Sequence, residues 1–245
     1  MNEIIRRKRR LPHWDQPGAT YFITSCLAGS IPAQGLLDID QFRRDLAKRR
    51  PPAEMSEEDW KLNCWKRTFA RCDDWLDREP TVRYLADPAL AKEVANSLYF
   101  FAGQRYDLVA YVVMPSHFHW VFRPTKNITP VRTKKGRWQS ARERIMHSIK
   151  RHSAKQCNRL LDREGTFWQD ESHDHCVRDE DELERIIEYI ELNPVKAGLT
   201  KASELWPFSS ANDRSSWDVP FGSPLVRPLD SRGMGFQGAK EGMAG

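Results

Sequence analysis

Residues 106–123 read YDLVAYVVMPSHFHWVFR. The run Tyr106–Met114 is strongly apolar and rich in strand formers, which predicts a strand, and Pro115-Ser116 interrupts it. The second half alternates. Side chains of a strand project to opposite faces with a period of two, so Phe118, Trp120 and Phe122 share one face. His117, His119, Val121 and Arg123 share the other. Three aromatics packed behind the strand would fix the direction of both imidazoles, near the rim of a sheet.

Outward from this pair of strands, Tyr21–Leu27 (YFITSCL) follows the turn signal Pro17-Gly18 and reads as an earlier strand. After the breaker Pro51-Pro52, the residues Trp60, Cys64, Trp65, Phe69, Cys72 and Leu76 recur at helical intervals, so residues 28–80 read as an inserted helical excursion. Asp87-Pro88 supplies a cap and a proline at the first helical position, ahead of a helix marked by Leu90, Val94, Leu98 and Phe101. A basic helix over about 138–160 and a strand near His175–Arg178 follow. The last helix, from Asp179 to Leu192, opens on four acids, favourable at the positive end of its dipole, with Asp179 and Glu182 at capping-box spacing. The order β, α, β, β, α, β, α predicts an α+β fold: a ferredoxin-like antiparallel sheet backed by helices, with a helical insertion after the first strand. We expect a basic N-terminal arm over 1–16, one catalytic domain over 17–208, and a flexible C-terminal tail rich in Gly, Pro and Ser over 209–245.

A chain of 245 residues can bury one good core, and 11 % aromatic residues with nine tryptophans suit a globular protein. The net charge of +5 is mild but uneven. Residues 131–160 carry ten Lys or Arg against the single acid Glu143, a concentration that suits phosphate. Five cysteines without a CxxC pair argue against a disulfide scaffold and a zinc knuckle. The sequence has neither a run of eighteen apolar residues nor a signal peptide, so a soluble cytoplasmic protein without a membrane partner is expected.

Tyr189 and Asn193, four apart, share a helix face off the stripe formed by Leu183, Ile186, Ile187 and Ile190. Pro194 disfavours helical geometry at Asn193, so this alignment requires the helix to persist into its last turn. Two imidazoles and a carboxamide offer three neutral metal ligands beside a phenol, a set suited to metal-assisted attack on a phosphodiester. A second pair, His173 and His175, has the same spacing but adjoins an acidic run and ranks behind the first.

The segments AYVVMPSHFHWVF and FWQDESHDHCVRDEDELERIIEYIELNPVKAGL resemble the His-hydrophobic-His motif and the tyrosine-helix region of the REP-associated single-tyrosine transposases. The likeness runs from about Tyr21 to Leu199, with Ser116 where the usual motif has Asn. It implies Tyr189 as the nucleophile, His117, His119 and Asn193 as metal ligands, and Mg2+ or Mn2+ as the ion, whereas imidazoles alone would suit Zn or Mn. It further implies a DNA-binding endonuclease and transposase that cuts and rejoins single-stranded DNA near palindromic hairpins, the repetitive extragenic palindromes, through a 5′-phosphotyrosine. Arg132, Lys134, Lys135, Arg137, Arg142, Lys150, Arg151, Lys155 and Arg159 are candidates for the DNA backbone, and Trp138 or His147 for stacking on an unpaired base. The competing readings are a catalytically silent hairpin-binding regulator and a metal-dependent hydrolase without a covalent step. Either a monomer or a homodimer is compatible, and no general base for Tyr189 is identifiable.

Overall fold

The computed structural model describes residues 5–8, 12–15, 18–78, 80–134, 136–170 and 172–227. Two short strands, β1 (Ile5–Lys8) and β2 (Pro12–Asp15), pair as a hairpin, and β3 (Tyr21–Cys26) follows. The insertion is α1 (Ala33–Ala47) and α2 (Glu57–Arg78). Then come α3 (Pro88–Tyr99), β4 (Tyr106–Val113) and β5 (His117–Pro124). The two-residue strands β6 (Val131–Arg132) and β7 (Trp138–Gln139) precede α4 (Ala141–Leu160). β8 (His173–Cys176), α5 (Glu180–Lys196) and α6 (Ser210–Trp217) complete the order.

The main sheet runs β4-β5-β3-β8 with every neighbouring pair antiparallel. With α3 and α4 as the crossovers, this is the ferredoxin-like β-α-β-β-α-β arrangement, carrying the helical insertion after its first strand. Both faces are covered. Tyr21, Ile23, Phe118, Trp120 and Phe122 pack with Leu90, Val94 and Leu98 of α3 and Ile145 and Ile149 of α4. Phe22, Ala110, Val112 and Val121 pack with Leu183, Ile187 and Ile190 of α5 and Phe69 of α2. Burial on both sides is why β4 reads as a continuous apolar run. A register shift between Leu108 and Ala110 marks a bulge in the β4–β5 ladder.

Within the insertion, Asp38 of α1 accepts hydrogen bonds from Arg71 Nε at 2.6 Å, Arg71 Nη2 at 2.7 Å and Trp75 Nε1 at 2.9 Å, all from α2. Gly35 permits this approach, because a Cβ there would meet Ile31 and Trp75 at 2.9 Å.

The stretch after Ser209 corrects the expectation of a flexible tail. Ser209 caps α6 by accepting from the Asn212 amide. Buried Arg214 pairs with Glu191 of α5 at 3.0 Å, and Leu225 is buried in the core. Composition alone suggested a loose tail, whereas a buried carboxylate on α5 requires a cation and α6 brings one. Residues 228–245 and residue 17 lie outside the described residues, as do residues 1–4, 9–11 and 16 of the basic arm. Among the described residues no helix is long and apolar enough to cross a membrane.

Candidate metal centre and nucleophile

β5 delivers both histidines to the α5 side of the sheet, fully buried. Their Nε2 atoms stand 3.0 Å apart. Their Nδ1 atoms face hydroxyls: Thr24 Oγ1 on the adjacent strand lies 2.7 Å from His119, and Ser116 Oγ lies 2.9 Å from His117. Ser116 Oγ also donates to the Leu76 carbonyl at 3.3 Å. Its proton being used there, it accepts from His117 Nδ1–H, so the His117 Nε2 lone pair points into the centre. Burial, reinforced by His119 and opposed by Asp73, pushes His117 down to about 3, which keeps the ring neutral and able to ligate.

Across the gap, α5 buries Leu183, Ile187 and Ile190 and sets Tyr189 and Asn193 on the flank facing the imidazoles. The helix runs through Pro194 to Lys196, so the four-residue spacing keeps both groups on one face. Asn193 Nδ2 is 3.4 Å from His119 Nε2, and turning the carboxamide end for end would bring Oδ1 to the same point. The Tyr189 and His119 ring centroids are 5.5 Å apart.

Sequence reasoning missed one participant, Asp73 of α2. Its Oδ1 lies 3.3 Å from His119 Nε2 and 4.0 Å from His117 Nε2, and its Oδ2 accepts the hydroxyl proton of Tyr189. Burial pushes this carboxyl up, but His119 beside it and the tyrosine hydroxyl outweigh that and hold the group at about 2. Burial, together with the charge of Asp73, raises Tyr189 far above the ordinary phenol value, so the hydroxyl stays protonated. Nothing in the sequence marked Asp73. It is one of three aspartates near the end of α2, beside the apolar stripe, and only the docking of that helix aims it at β5.

These groups fit a divalent cation. One donor atom each of Asp73, His117 and His119 lies within 4.8 Å of the others. Asp73 Oδ1 and Asn193 Oδ1 are buried without a hydrogen-bond partner, a costly condition that a bound cation relieves.

The second histidine pair plays a different part. His173 and His175 of β8 face the same side of the sheet, opposite Thr24 and Phe22. His175 stacks on Trp65 of α2 at 4.8 Å and stands 3.1 Å from buried Glu182, so it braces the insertion. Burial lowers its pKa, against the pull of Glu182.

Among the described residues, the basic candidates lie on the other side of the sheet. A groove of 790 Å³ runs along α4 between the β6–β7 hairpin and the loop before β8, lined in part by Lys134, Arg137, His147, Lys150 and Arg151. His147, Arg151, Lys155 and Arg159 form an exposed row at four-residue spacing along α4. Trp138 is 54 % exposed, Arg137 pairs with Glu143 at 2.8 Å, and Arg132 donates to the Gly136 carbonyl. Lys150 reaches the carbonyls of Gln169 and Asp170. Arg142 departs from its expected role: it is buried and paired with Asp174, which makes it part of the groove's frame instead of an exposed phosphate contact. Lys135 lies outside the described residues.

No family model matches the chain. A protein of Haemophilus influenzae named as a REP-associated tyrosine transposase is 29 % identical over 110 residues, covering 43 % of this chain and 58 % of the relative. The REP-associated tyrosine transposase of Escherichia coli K12 is 24 % identical over 105 residues, covering 43 % of this chain and 54 % of the relative. The chain thus spans a little over half the length of the curated relatives it matches. A solved REP-associated tyrosine transposase bound to a REP hairpin superposes with a TM-score of 0.45 at 16 % identity, covering 86 % of this chain and 87 % of that one. In sequence, this chain is similar to the REP-associated tyrosine transposases.

Proposed function

We propose that this protein is a metal-dependent single-strand DNA endonuclease and transposase that acts beside hairpins through a covalent tyrosine intermediate. The observation that carries the reading is the convergence of Tyr189, Asn193, His117 and His119 from α5 and β5 around one point. The Tyr189 oxygen attacks the phosphorus, the bond from phosphorus to the 3′-oxygen breaks, and a 5′-phosphotyrosine remains. The bond energy is kept in the ester, so a 3′-hydroxyl can later attack it and rejoin strands. The nearest acceptor for the phenol proton is Asp73 Oδ2. His117, His119 and Asn193 would hold the ion, Mg2+ or Mn2+, which when bound offsets the negative charge of the phosphate.

The basic groove suits the hairpin stem. It lies across the sheet from the histidines, and β8 separates the two, with Asp174 lining the groove and His173 on the side of the metal centre. Single-stranded DNA leaving the stem would cross this edge to reach Tyr189.

Incubating the protein with labelled hairpins taken from DNA flanking its gene tests the reading. The expected result is a protein–DNA adduct on a denaturing gel that requires divalent metal and is lost in Tyr189→Phe. Cleavage without an adduct would favour the water-using hydrolase, and binding without cleavage the silent regulator.

A further inference from the structure

We infer that Asp73, carried by the inserted helix α2, is a fourth ligand of the metal centre, so that the ion itself ties the insertion to the catalytic sheet. The inference rests on the metal-dependent reading above and adds to it an element that neither the motif nor the tyrosine helix supplies.

Three observations converge on α2. Asp73 Oδ1 is buried without a hydrogen-bond partner and lies 3.3 Å from one imidazole Nε2 and 4.0 Å from the other. That places a carboxylate oxygen against the same point at which the two histidine nitrogens meet. Its second oxygen binds the Tyr189 hydroxyl, so one side chain would both ligate the ion and orient the nucleophile. The same helix also reaches the site indirectly. The Leu76 carbonyl, in the last turn of α2 where carbonyls lack intrahelical partners, accepts from Ser116, and Ser116 sets the ring orientation of His117. Ser116, where the sequence departs from the usual Asn, therefore links the histidine strand to the insertion.

The chemical consequence is a ligand set of two imidazoles, a carboxamide and one carboxylate. A hard anionic oxygen shifts preference toward Mg2+ and Mn2+ relative to an all-imidazole site. The structural consequence is reciprocity: if docked α2 tightens metal binding by some factor, bound metal stabilises docking of α2 by the same factor.

Mn2+ binding to the full-length protein, measured by calorimetry, tests this alongside hydrogen exchange of residues 57–78 with and without Mn2+. Asp73→Asn should weaken Mn2+ binding by at least about tenfold, the scale seen even for groups that only support a metal ligand. In the wild type, saturating Mn2+ should slow exchange in α2 by a similar factor, a readout that does not depend on the variant folding. Mn2+ binding to Asp73→Asn as tightly as to the wild type, or binding to the wild type with no change of exchange in α2, would overturn the inference while leaving the two histidines in place. If wild-type and His117→Ala proteins bind Mn2+ equally, the metal centre of the proposed function fails with it.

Discussion

At the residue scale, the centre depends on how hydroxyls prepare its imidazoles. Thr24 faces His119 Nδ1 at 2.7 Å, and removing that contact leaves the ring free to turn. Thr24→Val keeps the shape of the side chain and should lower Mn2+ affinity about 10- to 100-fold with little change in melting temperature. Unchanged affinity would show that His119 is oriented by packing alone. Glu182 offers a prediction with a defined sign. Burial raises its pKa, but Lys66, His175 and the Arg178 amide outweigh this and hold it at about 2, from an ordinary 4.5. A depressed carboxyl stabilises the fold above its unfolded value, and that contribution is lost as pH falls through the folded one. Stability should therefore drop between about pH 4.5 and pH 2, and Glu182→Gln should flatten that part of a pH series of urea melts.

At the element scale, the helices that carry the candidate site residues are secured at their ends. Ser140 caps α4 in a reciprocal box with Glu143, and Ser140→Ala should cost about 1 kcal/mol in urea unfolding. In α5, Asp179 accepts from the Glu182 amide, but the Glu182 side chain turns to the Arg178 amide, one residue before the cap. The spacing of Asp179 and Glu182 marked the start of this helix correctly. The choice of partner was decided by Lys66 and His175, which draw the carboxylate away and come from other elements. Arg214 of α6 is the counterpart at the far end of the chain. Arg214→Ala leaves Glu191 buried without its cation, with only the Ser210 hydroxyl donating to it, and should destabilise the protein by roughly 3–5 kcal/mol, read as a lower urea midpoint. A change below about 1 kcal/mol would mean that the pairing of Arg214 with Glu191 does not hold the segment after Ser209 to the fold.

At the scale of the whole molecule, positive charge and the candidate reaction centre occupy opposite faces of one sheet. The exposed row on α4 gives this a measurable form. Each phosphate contact adds about 0.7 to the slope of log affinity against log salt for single strands and about 0.9 for duplex. Replacing Arg151 and Lys155 by Ala should lower that slope for a labelled hairpin by roughly 1.4 to 1.8. Metal binding, across the sheet, should be unaffected. An unchanged slope would move the stem away from α4.

Local order makes much of this protein legible in its sequence. Period-two alternation through His117, His119 and Val121 set the faces of β5, and the apolar stripe of α5 set the flank on which Tyr189 and Asn193 lie, because side-chain direction in regular elements follows from spacing alone. The order of elements did the same for the sheet. Asp73, the pairing of Arg214 with Glu191 and the burial of Arg142 against Asp174 could not be read that way. Each places a charged side chain against a buried partner 20 or more positions away, and whether a charge faces water or a buried partner depends on which surfaces meet when helices dock, a distance that no periodicity encodes.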